Sequence, residues 1–178
     1  LDVNPFSPIG ITAEHMYFLD VFLLYCLLQD SPPLSAAEQT ITEQNLKKVV
    51  TDGRRNNLEL LCEGQNRLMQ DWAEQLFADM MPVAKYLDSA YENQKYTAAL
   101  KQFYLCLLDP AQTYSGKLLN QLLTTQQDNG GVLLQLSAQY RQQLQQQPYQ
   151  YYNEQQFTDA AALSIQAQKQ IEQQDSIS

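Results

Sequence analysis

Met16-Tyr-Phe-Leu-Asp20-Val-Phe-Leu-Leu24-Tyr-Cys-Leu-Leu28 decides how this chain folds. Thr12 is a good helix N-cap, and Glu14 falls in the first turn, where the helix dipole favours an acid. The helix should run to about Gln29 and stop before Ser31-Pro32-Pro33. Its apolar residues, Phe18, Val21, Phe22, Leu23, Leu24, Leu27 and Leu28, leave no polar face. Such a helix belongs in an interior, so the sequence predicts a bundle packed round it, and an aspartate at Leu24 should unfold it. The run is too short to span a bilayer, which needs about 20 apolar residues, and Asp20 interrupts it.

Helical signals continue along the chain. Ser35-Ala-Ala-Glu38 has the form of a capping box, opening a second helix that should end near Gly53. Residues 54–66 have no helical period. Trp72, Leu76, Met80, Val83, Ala84, Leu87 and Tyr91 make one stripe, with Pro82 expected to kink it near Ala78. Tyr96, Ala99, Leu100, Phe103 and Leu107 make a fourth, closed by Asp109-Pro110. A fifth helix spans about Ser115 to Thr125 and ends before Asp128-Asn-Gly-Gly131. Leu133, Leu136, Tyr140 and Leu144 mark a sixth, and Asn153 can cap a seventh. Asn57–Cys62 and Leu1–Asn4 are the segments compatible with extended structure. The expectation is an all-α fold of about seven helices, with at most a strand remnant at the start.

Composition narrows the function. The 178 residues are 44% hydrophobic and 17% charged, which suits a globular domain with a real core. Twenty acids against eleven bases give a net charge of −9, a poor match for nucleic acid or anionic membranes. The six glycines form no phosphate-cradling loop, and the single histidine, His15, cannot build a His-rich metal site. His15 reads as a surface or packing residue. Cys26, Cys62 and Cys106 are scattered without a CxxC pair; the expectation is buried free thiols in a reducing, cytoplasmic compartment. Asp71, Glu74, Asp79, Asp88 and Glu92 read as a solvated helical face, with no convergence visible. Lys47, Lys48, Arg54 and Arg55 form the one basic cluster, suited to a helix end or to an anion. The glutamine-rich final third keeps Leu, Tyr and Ile at helical spacing and reads as solvated helix, with a disordered tail expected at about 172–178.

The opening Leu1-Asp2-Val3-Asn4-Pro5-Phe6-Ser7-Pro8-Ile9-Gly10-Ile11, followed by Phe18-Leu19-Asp20, resembles a segment of bacterial glutamate–cysteine ligases. Collinear pieces agree: Asn45 with Val49 and Asp52-Gly53-Arg54, Leu76-Phe77, Val83-Ala84, Leu87-Asp88-Ser89, Asp109-Pro110, Thr113-Tyr114-Ser115, and Tyr140-Arg141 near Pro148. The opening motif is the specific one. The resemblance implies that 1–178 is the C-terminal helical region of a larger α+β ligase, with 1–11 following a catalytic strand. It implies an enzyme that joins the γ-carboxylate of glutamate to cysteine, using ATP and Mg²⁺, through a γ-glutamyl phosphate. The family's metal-binding acids and its Glu-x-Arg strand would lie before Leu1. No catalytic or metal-binding residue is therefore expected in this chain; Asp2, Asn4 and Phe6 come nearest the site. The glutamines, where the family has a charged tail, are a departure. Alone, the chain is expected to bind no cofactor, to be inactive and to self-associate; its implied partner is the N-terminal catalytic part. An all-α interaction module without activity is the alternative.

Overall fold

The computed structural model describes residues 3–149 and 151–175. In chain order they form α1 (Ala13–Leu27), α2 (Ala36–Asp52), β1 (Glu59–Cys62), β2 (Gln65–Leu68), α3 (Met69–Ala90), α4 (Lys95–Leu108), a 3₁₀ turn at Pro110–Gln112, α5 (Tyr114–Thr125), α6 (Asn129–Gln146) and α7 (Glu154–Asp175). The chain divides after Ser137 into two units. In the first, α1, α3 and α4 pack on one another around Val21, Met80, Ala84, Tyr96 and Leu100, with Tyr17, Phe18, Phe22, Leu76 and Phe77 half-buried around them. The Phe18 ring lies tilted against Phe77, at 5.9 Å between ring centres, and against Phe103, at 4.7 Å. In the second, Tyr149 and Tyr152 lay their rings against Phe157 of α7, and every α7 side chain described is exposed.

The helices begin where local chemistry predicts. Ser35 and Glu38 form the expected capping box at α2, each bonding the other's backbone amide. Asn153 and Gln156 do the same at α7, both at 2.9 Å. Asn129-Gly-Gly131, expected to lie before the sixth helix, is instead the first turn of α6. Asp128 supplies the cap, accepting the Gly131 amide at 2.7 Å. Pro82 stays on the exposed side of α3. α7 runs through 172–175, where a disordered tail is expected from the sequence; 176–178 lie outside the described residues.

Four expectations need correction. The fold is not purely helical: β1 and β2 form an antiparallel hairpin, with Cys62 opposite Gln65. Its two-residue turn, Glu63-Gly64, has both φ angles positive (49° and 78°), the geometry that matches strand twist and favours glycine. The α2 side chain of Asn45 pairs with the hairpin like a strand, accepting the Leu61 amide at 3.0 Å and donating to the Leu61 carbonyl at 2.8 Å. No strand forms at Val3 and Asn4; Leu1 and Asp2 lie outside the described residues.

Nor is α1 central. Val21 is fully buried, but Leu24 is only half-buried, and Met16, Leu19, Leu23 and Leu27 stand in the open on the opposite face. The apolar run covers more than one face, but α3 and α4 cover only one side of it. The same exposed face carries Cys26; Cys62 and Cys106 are half-buried. The scattered thiols are free, as expected, but none is fully buried.

Asp88, near the end of α3, is 8% exposed and substitutes for an N-cap on α4. Its carboxylate accepts the Tyr96 amide at 2.9 Å and the Thr97 amide at 3.1 Å. Burial works against the charge, but the Thr97 side chain, the two amides and Lys101 outweigh it and hold the carboxyl below its usual range. The depressed value makes this stabilisation fully present above the ordinary carboxylate range and lost as pH falls through the folded-state value. Asp88→Ala should cost about 2–4 kcal/mol at neutral pH, since bonds to a charged group are worth roughly 1.5–3 kcal/mol each and are not additive. Urea melts should show the difference from the parent shrinking on acidification to about pH 3. An equal difference at both pH values would refute the charged cap.

Candidate functional site

The opening motif folds into a closed loop. The Asn4 amide donates to the Gly10 carbonyl at 2.8 Å, and the Gly10 amide to the Ser7 carbonyl at 3.1 Å. Asn4, 6% exposed, turns its side chain inward so that Oδ1 accepts the Phe6 amide at 2.9 Å, an Asx turn. Ser7 Oγ donates to the Ile11 carbonyl. Proline at 5 and 8 limits the alternatives open to the loop. Gly10 closes it at φ +76°, and a Cβ there would stand 3.2 Å from the Val3 Cβ. Gly10→Ala is therefore expected to destabilise the chain by about 1–2 kcal/mol. A thermal melt of that variant matching the parent would show that the loop does not need the left-handed backbone.

Behind the loop lies a cavity of about 460 Å³, walled by Val3, Asn4, Ile9 and Gly10, by Phe18 and Leu19 of α1, and by Phe103 and Tyr114. His15, on α1, stands among them. Its Nδ1 accepts the Thr12 amide at 3.1 Å and lies 2.9 Å from the Thr12 hydroxyl. Its Nε2 lies 2.7 Å from the Tyr114 hydroxyl of α5, and its ring meets Phe103 edge-on at 5.1 Å. Burial raises the Tyr114 pKa, and the acidic groups Cys106 and Glu14 raise it further, so the phenol stays neutral. The Thr12 side chain and the backbone amide of Glu14 hold the Glu14 carboxyl below its usual range. The reading of His15 as a packing residue understates it, because its second partner lies 99 positions away.

Of the three near-site residues, Asn4 and Phe6 sit together in this loop and Asp2 lies outside the described residues. The basic cluster is not brought together. Arg54 lines one cleft with Lys117, Arg55 lines another beside Met69 and Cys106, and Lys48 donates to the Glu59 carbonyl at 3.2 Å. Among the described residues, no three His, Cys, Asp or Glu side chains gather to hold a metal ion. They do not fit the Mg²⁺ that the resemblance implies.

The sequence and the fold of this chain are similar to those of known proteins. The glutamate–cysteine ligase family model matches residues 1–49, the loop with α1 and most of α2. Over all 178 residues the chain is 41% identical to the glutamate–cysteine ligase of Pseudoalteromonas translucida. Along its whole length the chain is thus similar to glutamate–cysteine ligases. It is 46% identical over 142 residues to the Shewanella oneidensis ligase, which covers 80% of this chain. The crystal structure of the Francisella tularensis glutamate–cysteine ligase in complex with AMP superimposes on 94% of the chain with a TM-score of 0.79 at 27% identity. The chain spans only about a third of the length of these ligases: 34% of the first, 27% of the second and 33% of the crystallised one. Among the described residues no helix is long and apolar enough to cross a membrane.

Proposed function

We propose that this chain is the C-terminal structural, helical part of a cytoplasmic ATP-dependent ligase that joins the γ-carboxylate of glutamate to the amine of cysteine. The observation that carries the proposal is identity of 41% along the whole chain to such a ligase. In the proposed reaction ATP phosphorylates the γ-carboxylate, and the cysteine amine displaces phosphate from the γ-glutamyl phosphate. The acids that hold Mg²⁺ and the cations that hold substrate and phosphate belong to the remaining two-thirds of the enzyme. This chain supplies a rigid support, and its Asn4–Gly10 loop lies where the polypeptide leaves the catalytic strand.

The exposed α1 face supports this reading. Met16, Leu19, Leu23 and Leu27, 44% to 80% exposed, form an apolar stripe of the kind that soluble proteins cover with a partner. In the proposal that partner is the catalytic part of the same protein. The test is the full-length gene product. A Glu-x-Arg strand immediately before Leu1, and formation of γ-glutamylcysteine from glutamate, cysteine and ATP–Mg²⁺, are the expected results. A full-length protein that folds but makes no γ-glutamylcysteine would leave the interaction-module reading in its place.

A further inference from the structure

We infer that His15 is a positioning residue: neutral and protonated on Nε2, it locks the Asn4–Gly10 loop to α5 and so sets the shape of the cavity between them. The protonation follows from the donors around the ring. The Thr12 backbone N–H can only donate, and it points at Nδ1 from 3.1 Å; Nδ1 must therefore offer a lone pair. The ring's one proton then sits on Nε2 and donates to the Tyr114 oxygen at 2.7 Å.

The consequence is mechanical. Thr12 is the residue after Ile11, and Ile11 and Gly10 accept the bonds from Ser7 and Asn4 that close the loop. One imidazole thus joins the base of the loop, the first turn of α1 and the first residue of α5, three walls of the same 460 Å³ cavity. The apolar remainder of the wall includes Phe18 and Phe103, and the Phe103 ring lies edge-on to the imidazole. A glutamine at this position can play both parts, with Oε1 accepting the Thr12 amide as in a capping box and Nε2 donating to Tyr114. Leucine can play neither.

The inference of a clamp stands on geometry alone; its bearing on catalysis rests on the ligase reading above. His15 is the sole histidine of the chain, so nitrogen-15 NMR of its side chain reads the tautomer without ambiguity. The Nε2–H form is expected in the parent and in Tyr114→Phe, because the Thr12 amide, not the phenol, dictates it. The Nδ1–H form or the imidazolium in the parent at neutral pH would overturn the inference. In hydrogen exchange, His15→Leu should speed the Asn4, Phe6 and Gly10 amides about tenfold, the weight of one hydrogen bond. The Leu100 amide in the core should be unchanged, and His15→Gln should restore the loop. Unchanged loop amides, or an equal acceleration at Leu100, would overturn the positioning role. Should His15→Leu fail to fold, Tyr114→Phe decides, since it removes one oxygen and should loosen the same amides. In the full-length ligase, His15→Leu should lower kcat/KM about tenfold, with rescue by His15→Gln. Unchanged kcat/KM beside faster loop exchange would overturn the role in the reaction. A parent enzyme without ligase activity would instead overturn the proposed function and leave the clamp standing on the NMR and exchange results.

Discussion

An aspartate at Val21 is expected to unfold this chain, and an aspartate two residues later, at Leu23, to leave it folded. Both residues lie in one apolar run, but Val21 is fully enclosed by Met80, Ala84, Tyr96 and Leu100, whereas Leu23 is 62% exposed. A carboxylate at Val21 would have no water, and the residues that enclose it, Met80, Ala84, Tyr96 and Leu100, carry no positive charge. Leaving a charge buried and unpaired costs about 3–5 kcal/mol or more, against a total stability of roughly 5–15 kcal/mol for a domain. The enclosing side chains would also have to part to admit it. At Leu23 the carboxylate stays hydrated, and the change should fall within about 0.5 kcal/mol. Urea melts of the two variants, followed by circular dichroism, check the pair. Unfolding by both would restore α1 to the centre of the bundle; unfolding by neither would show that α1 does not dock through Val21.

Supplied with ATP, Mg²⁺, glutamate and cysteine, the 178-residue chain is expected to release no ADP above background. Phosphoryl transfer is carried out by oriented charges, and removing a single such group typically costs about 10²–10³ in rate. On the proposed reading the whole set belongs to the rest of the enzyme. No three potential metal ligands gather, the carboxylate of Asp88 is committed to the α4 amides, and the basic residues are dispersed over separate clefts. The side chains of Asn4 and Ser7 in the opening loop bond to the loop's own backbone. Cysteine-dependent ADP release by this chain would refute the assignment of the reacting groups to the rest of the enzyme. The same assay on the full-length protein supplies the positive control.

Much of the helix inventory is legible from spacing alone. Ser35 with Glu38, Asn153 with Gln156, and the stripe from Leu76 to Leu87 depend on groups within one turn of each other, so neighbouring residues suffice to specify them. The Asn4–Gly10 loop is equally local: prolines, an Asx turn and a left-handed glycine determine it within seven positions. The motif that marks the family is legible for the same reason.

What the linear order cannot state is which surface of an element another element covers. α1 is apolar on every side, so its pattern points nowhere; α3 and α4 choose the Val21 side and leave Leu23, Cys26 and Leu27 outside. β1 falls within the segment Asn57–Cys62 that the sequence leaves open to extended structure, but its pairing with β2 is not legible, because four-residue strands are too short to show alternation and Asn45, which bonds to the hairpin, lies on a preceding helix. Asp88 looked like one solvated acid among five until α4 began at its carboxylate. His15 gained its role from Tyr114, 99 residues on. Each of these depends on contacts between segments distant in sequence. Burial and hydrogen-bond pairing are properties of the packed molecule, whereas periodicity and capping are properties of the chain.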